Sequence, residues 1–449
     1  MMEPMDSLLN AQREFFNSHK TREIIFRMAQ LEKLRDCILA HQDNIVQALH
    51  KDLHKPARET YATETGFCLA EIDYMLKHLK FWSRTIQARG PLLFPESKTY
   101  IQYEPFGVAL IISPWNYPFQ LTISPLVGAL AAGNCAVLKP SELSPSTSAA
   151  IENLIHDCFD PGYVSVVQGD AAVAQSLLQQ KFDYIFYTGG GAVGKSVMKA
   201  AAEHLTPVTL ELGGKCPCIV DSDIDLEKAV KRIVWGKFMN AGQTCNAPDY
   251  LLVQRDVKTS VVEGLTKSIM EFYGPDIKAS PDYGRIVNRR HFDRISSYLS
   301  DGSVIFGGQS DAESLYIAPT LMENTPPESK VMQEEIFGPV LPIIEYSGLD
   351  EAIRFVNSRP KPLALYLFSN DKEVQKRVLH ETSSGGVCLN DAVVQIAYLQ
   401  LPFGGVGDSG FGKYHGKHSF ELFSNKKGIM LQTVEQDLAI RYPPYQTGG

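Results

Sequence analysis

The sequence predicts an α/β protein built on two largely parallel sheets, with a small β excursion added to them. Three observations carry that reading. Between Val108 and Leu205, strand-like and helix-like runs alternate strictly, an order that implies a parallel sheet with right-handed crossovers and helices on both faces. A second alternation begins at Ile219 and passes through strand-like runs at 251–253, 341–344, 364–368 and 387–390. Residues 90–105 read GPLLFPESKTYIQYEP, where apolar and polar residues alternate around a Pro-Glu-Ser turn as in an exposed β-hairpin. With 449 residues the chain is long enough for two or three domains and a large core.

In chain order, Ile24, Met28, Leu31, Leu34, Ile38, Ile45 and Leu49 recur at three- and four-residue steps, the period of an amphipathic helix, and 59–82 continues the pattern. Neither stretch carries obvious chemistry. The first alternation then predicts strands at 108–112, 136–138, 164–167, 184–187 and 207–210, with helices at 123–132, 146–159, 171–180 and 193–205 between them. Ligands of open parallel sheets bind beyond the carboxyl ends of the strands. Asn116, Lys139, Gly189 and Glu211 all fall there. In the second half, a helix over 225–238 and a strand over 250–254 enclose the polar stretch FMNAGQTCNAPDY.

Composition removes several classes of function. A net charge of −8 without a long basic block gives nucleic acid no electrostatic footprint. No apolar run approaches the ~18 residues of a membrane span, and MMEPMDSLLNAQREFF lacks the apolar centre of an export signal. A cytoplasmic protein is expected. The eight scattered cysteines then read as reduced thiols. Cys216 and Cys218 form the only close pair and have no partners at zinc spacing, so no metal is expected.

Cys245 stands apart from the other cysteines, because Gly242-Gln-Thr-Cys places it in a glycine-hinged turn rather than in a core element. A thiol attacks as thiolate and needs positive potential, backbone N–H groups or a base nearby. No histidine lies in the local sequence, which argues against a papain-like hydrolase. Glu211 in ELGG and Asn116 in PWNYP each follow a strand; together they could supply a carboxylate base for water and an amide donor for an oxyanion. The run 189–194, GGGAVG, is a G-x-G-x-x-G between a strand and a helix, a pattern that lets backbone approach a pyrophosphate. Glu211 lies 22 residues beyond Gly189, where a conventional dinucleotide fold puts its ribose-binding acid. Lys139 and Glu142 in LKPSE could likewise bind a ribose diol.

PWNYP, LELGG, GQTC, EEIFGP at 334–339 and PFGG at 402–405 together resemble the NAD(P)-dependent aldehyde dehydrogenases, and KFMNAGQTCNAPDY with GVGDSGFGKYHGKHSF resembles the class 3 branch. The resemblance runs from about residue 31 to 442. It implies a Rossmann-like cofactor domain at 1–89 and 106–210, a catalytic α/β domain at 211–415, and an oligomerisation arm and tail at 90–105 and 416–449. It also implies that Cys245 is the nucleophile, Glu211 the base that activates water, and Asn116 the oxyanion donor. Lys139, Glu142, Gly189, Gly194, Glu335 and Phe337 then bind NAD, with NADP possible, and Trp115 joins them or the pocket wall. Tyr117 and Phe403 line the aldehyde pocket. The expected assembly is a homodimer, for which residues 90–105 serve as arm, although from pattern they equally suit a plain edge hairpin. A non-redox thiol esterase or acyltransferase, or a non-catalytic binding protein on the same fold, are the alternatives.

Overall fold

The structure is a computed structural model and describes residues 3–88, 97–435, 437–438 and 441–445. Its first sheet has six strands, in the order Gly410–Phe411, Val208–Glu211, Tyr184–Thr188, Val108–Ile112, Cys135–Lys139 and Val164–Val166. All neighbours are parallel except the first pair. The strands Val108–Ile112, Cys135–Lys139 and Tyr184–Thr188 are buried at every residue, as a sheet covered on both faces requires. The second sheet has seven strands, in the order Ser303–Phe306, Thr320–Glu323, Val340–Tyr346, Tyr250–Gln254, Pro217–Val220, Ala364–Phe368 and Gly386–Leu389, with only the first pair antiparallel. Each sheet lies in its own hydrophobic core.

The expected αβ order of the first sheet is present, with boundaries moved by at most three residues. The short strand Gly410–Phe411 carried no sequence signal; through it the chain returns from the second half to pair with Val208–Glu211. Part of 211–415 thus sits on the first sheet. The continuous helix expected over 24–49 is two helices, Ile24–Ala40 and Gln42–Leu53. The one expected over 59–82 is interrupted by a π-helical segment, Tyr61–Thr65, before Gly66–Trp82. The helix Gln120–Ala132 is buried all round, which explains why its sequence is apolar on every face.

The third sheet is a ribbon of Ile86–Ala88, Lys98–Pro105 and Ser424–Leu431, antiparallel throughout. Pairing opens at Ile86, ahead of the stretch read as the hairpin. The Pro-Glu part of the Pro-Glu-Ser turn lies outside the described residues, as does the end of the tail at 446–449.

Candidate active site

The helix Leu226–Phe238 starts on Asp225, whose carboxylate accepts the N–H of Lys228, a standard N-cap. It delivers the chain into a strained turn: Asn240 and Ala241 take left-handed φ values of 52° and 51°, and Gly242 follows at 74°. A side chain at Gly242 would lie 2.3 Å from the Gly338 carbonyl oxygen, so only glycine lets this turn pack on the EEIFGP loop. Cys245 comes out of the turn partly exposed, facing two cavities.

One cavity, of about 230 Å³, has mainly apolar and aromatic walls, Phe67, Trp235, Met239 and Ile396 among them; Tyr117 and Phe403 line it too. The other, of about 250 Å³, is lined by Trp115, Asn116, Gly189, Gly190, Glu335 and Phe337. Leu121, Thr188, Glu211, Leu212 and Cys245 face both. The thiol and the carboxylate therefore stand where an apolar chamber meets a more polar cleft.

Burial pushes the Cys245 thiol up to about 12, with the charges of Glu335 and then Glu211 acting in the same direction. The backbone N–H groups of Cys245 and Asn246 oppose the rise. Glu211 is itself buried with no well-formed hydrogen bond to either oxygen, and desolvation raises its pKa well above the ordinary carboxylate value. The nearby Lys413 ammonium and Gly405 amide pull it back down. Lys413 is fixed by the carbonyls of Gly385, at 3.0 Å, and Gly404. A Cβ on Gly404, where φ is 152°, would lie 2.7 Å from Glu211 Oε1 and 2.2 Å from the Gly412 carbonyl. The PFGG motif thus clears room for the carboxylate. Asn116 is buried, and its Nδ2 donates to the Gln243 carbonyl at 3.0 Å; Tyr117 Oη pairs with Thr244 Oγ1 at 2.7 Å.

Whether the polar cleft suits a dinucleotide can be judged from its backbone. The helix Gly191–Ala202 begins after Gly190 without a side-chain cap, and Cβ atoms on Gly190 and Gly191 would meet nothing within 4 Å. A free helix N-terminus beside open space accepts a phosphate. Gly189 and Gly194 have local reasons to lack side chains: a Cβ would lie 2.3 Å from Tyr187 Oη at the first and 3.0 Å from Leu212 Cδ2 at the second. Glu335 accepts the Gly214 N–H at 3.1 Å and presses so closely on Gly213 that a Cβ there would lie 2.2 Å from its oxygens. Burial first and the Asp249 charge second push its carboxyl up to about 8. Phe337, at φ 49°, packs edge-on against Trp115 with ring centroids 5.3 Å apart. Lys139 and Glu142 do not line this cleft. They face each other at 3.5 Å beyond the strand Cys135–Lys139, and Lys139 is buried, which lowers its pKa.

Sequence reasoning missed Arg294, which donates to the carbonyls of Glu335 and Ile336 at 3.1 and 2.9 Å, and His291, which packs on Trp115 at 5.0 Å. It also missed Lys413. All three act across long sequence separations; the stretches around Arg294 and His291 carry no motif signal, and Lys413, although inside GVGDSGFGKYHGKHSF, is not marked there as a site residue. Among the described residues no cluster of His, Cys, Asp or Glu could hold a metal ion.

Residues 2–429 match the family described as the aldehyde dehydrogenase family. The chain is 50% identical over 445 residues, 99% of its length and 98% of the relative's, to a Mus musculus protein named aldehyde dehydrogenase, dimeric NADP-preferring. It is 48% identical over 434 residues, 96% of its length and 95% of the relative's, to 4,4'-diaponeurosporen-aldehyde dehydrogenase of Staphylococcus aureus (strain NCTC 8325 / PS 47). A solved structure of Staphylococcus aureus AldH in a substrate-bound state superposes with a TM-score of 0.96 at 47% identity, covering 98% of this chain and 97% of that one.

Proposed function

The chain belongs to the aldehyde dehydrogenase family and is an NAD(P)-dependent enzyme that oxidises aldehydes; from that premise we propose the following assignment of its residues to the reaction. The observation that carries it is the shared wall: Cys245 and Glu211 face an apolar chamber on one side and a phosphate-compatible cleft on the other.

The aldehyde enters the apolar chamber, where Tyr117 and Phe403 hold its hydrocarbon part. Cys245 Sγ adds to the carbonyl carbon, its proton passing to Glu211 or water, and a thiohemiacetal forms. The Asn116 amide and the Cys245 backbone N–H carry the developing oxyanion. Gly189, Gly190, Glu335, Phe337 and Trp115 hold the cofactor in the polar cleft, with Lys139 and Glu142 at its adenosine end. Bound NAD or NADP supplies the acceptor for the hydride whose departure leaves a thioester on Cys245. With its carboxylate free again after any proton from Cys245 has passed to solvent, Glu211 takes a proton from water, whose oxygen bonds to the acyl carbon; the carbon–sulfur bond breaks, the carboxylic acid leaves, and the proton held by Glu211 returns to the Cys245 sulfur. A buried carboxylate with a raised pKa suits both proton transfers.

The assembly we propose is a homodimer. The ribbon leaves the edge of Ser424–Leu431 unpaired among the described residues, with Met430 and Leu431 half exposed. Such an edge is stabilised by a second subunit, and the mouse relative is named as dimeric. No described helix is long and apolar enough to cross a membrane, and all eight cysteines stand as free thiols, which supports placement in the cytoplasm.

Replacing Cys245 by alanine tests the nucleophile. The variant is expected to bind NAD with near-normal affinity in a fluorescence titration and to lose dehydrogenase turnover. Residual turnover above about one part in a thousand would count against the assignment, since loss of the nucleophile removes several decades of rate.

A further inference from the structure

Lys55 and Glu64 form an ion pair at 2.5 Å in which neither side chain has any solvent exposure. Removing two charges from water costs several kcal/mol per ion, and an apolar pair of similar volume is often as stable or more so. The pair therefore needs a reason beyond stability, and its other contacts supply one. Lys55 Nζ donates to the backbone carbonyl of Asn116 at 3.1 Å and lies 4.0 Å from the centre of the Tyr117 ring. Glu64 Oε2 accepts the N–H groups of Phe119 at 3.1 Å and Gln120 at 2.8 Å. One buried ion pair thus grips the segment 116–120 at both ends.

The nucleophile's turn holds the same segment from the other side. Asn240 Nδ2 donates to the Asn116 carbonyl at 2.8 Å and approaches the Gln243 carbonyl at 3.2 Å, the latter also receiving the Asn116 carboxamide. With its backbone carbonyl held by two donors and one amide hydrogen committed to Gln243, Asn116 has its second amide hydrogen aimed by the surrounding bonds rather than by its own rotamer. Glu64 reaches its place through the π-helical segment Tyr61–Thr65, whose Ala62 and Thr63 line the apolar chamber; single-turn π insertions recur at functional sites. Burial raises the carboxyls of both Glu59, to about 7, and Glu64; Glu64 is the one that contacts the ammonium directly and accepts two backbone N–H groups, which makes it the partner in the pair.

We infer that the Lys55–Glu64 pair is a positioning device for the reaction: it aims the Asn116 amide at the oxygen of the Cys245 adduct without touching substrate or cofactor. The inference rests on the reading of Asn116 as oxyanion donor, and the test separates the two. Asn116→Ala is expected to lower the rate of the NADH burst by about a hundredfold or more, the scale of a lost oxyanion donor. An undiminished burst in that variant overturns the reading of Asn116 itself. The neutral pair, Lys55→Met with Glu64→Gln, leaves no lone buried charge and keeps an acceptor for the two N–H groups. It is expected to melt near the wild-type temperature and bind NAD normally, while its burst rate falls about tenfold with little change in the aldehyde KM. Added to Asn116→Ala, it should cost nothing further, because the group it aims is gone. A full burst rate in the folded neutral pair, a loss that multiplies with that of Asn116→Ala, or a neutral pair that does not fold would each assign Lys55 and Glu64 to the fold and overturn the inference.

Discussion

Glu211 carries the sharpest consequence at the scale of single residues. Desolvation holds its proton, and a general base works only after losing it, so hydrolysis of the thioester should accelerate as pH rises through the Glu211 pKa. Glu211→Gln should abolish that dependence and lower steady turnover at least about a hundredfold, the range of a lost general base. Rapid mixing of the variant with aldehyde and saturating NAD should still give an NADH burst approaching one equivalent per site. A tenfold weakening of NAD binding, worth ~1.4 kcal/mol, with turnover restored at high NAD, would instead make Glu211 a ribose ligand, as its spacing from Gly189 first suggests. That ambiguity shows what sequence conveys at this scale. Cys245, Glu211 and Asn116 could be singled out as candidates because each sits in a short pattern at a strand end or turn, whereas Glu335 was reached only through the resemblance of EEIFGP. Lys55, Glu64 and Lys413 were not legible, since a buried pair or a charge held by two carbonyls is created by packing between distant segments.

Individual elements read less evenly. The αβ alternation was visible because each of the five parallel strands of the first sheet is a short, largely apolar run between helical periods. The breaks at His41 and at the π segment were invisible, because apolar spacing continues across them and only tertiary contacts decide where the helix yields. The loop containing PFGG belongs to the same scale. Gly404 sits between Glu211, Lys413 and the Gly412 carbonyl at a φ of 152°. Gly404→Ala should therefore strain the loop by roughly 2 kcal/mol and displace the Glu211 carboxylate. Circular dichroism melts should show a lower midpoint, and kcat should fall more than tenfold while NAD affinity holds. An active, equally stable alanine variant would mean that the loop does not constrain the carboxylate.

For the whole molecule, light scattering at micromolar concentration should report a particle of two chains. A charge placed on the open ribbon edge, Met430→Lys, should shift the population towards monomer if that edge is the contact. A stable monomer in the unaltered protein would exclude the arm reading of the ribbon. The strand Gly410–Phe411 has another consequence. The first sheet is nearly complete by Glu211, yet the loop that shapes the space around Glu211 comes from residues some two hundred positions later and is anchored by that short strand. During synthesis, at roughly 5–20 residues per second, the ribosome exposes the first sheet many seconds before the segment that encloses Glu211. A growing chain thus carries its sheet before the loop around Glu211 exists, so the carboxylate stays in water, free of the desolvation that raises its pKa in the finished fold, until the last part of the chain closes over it.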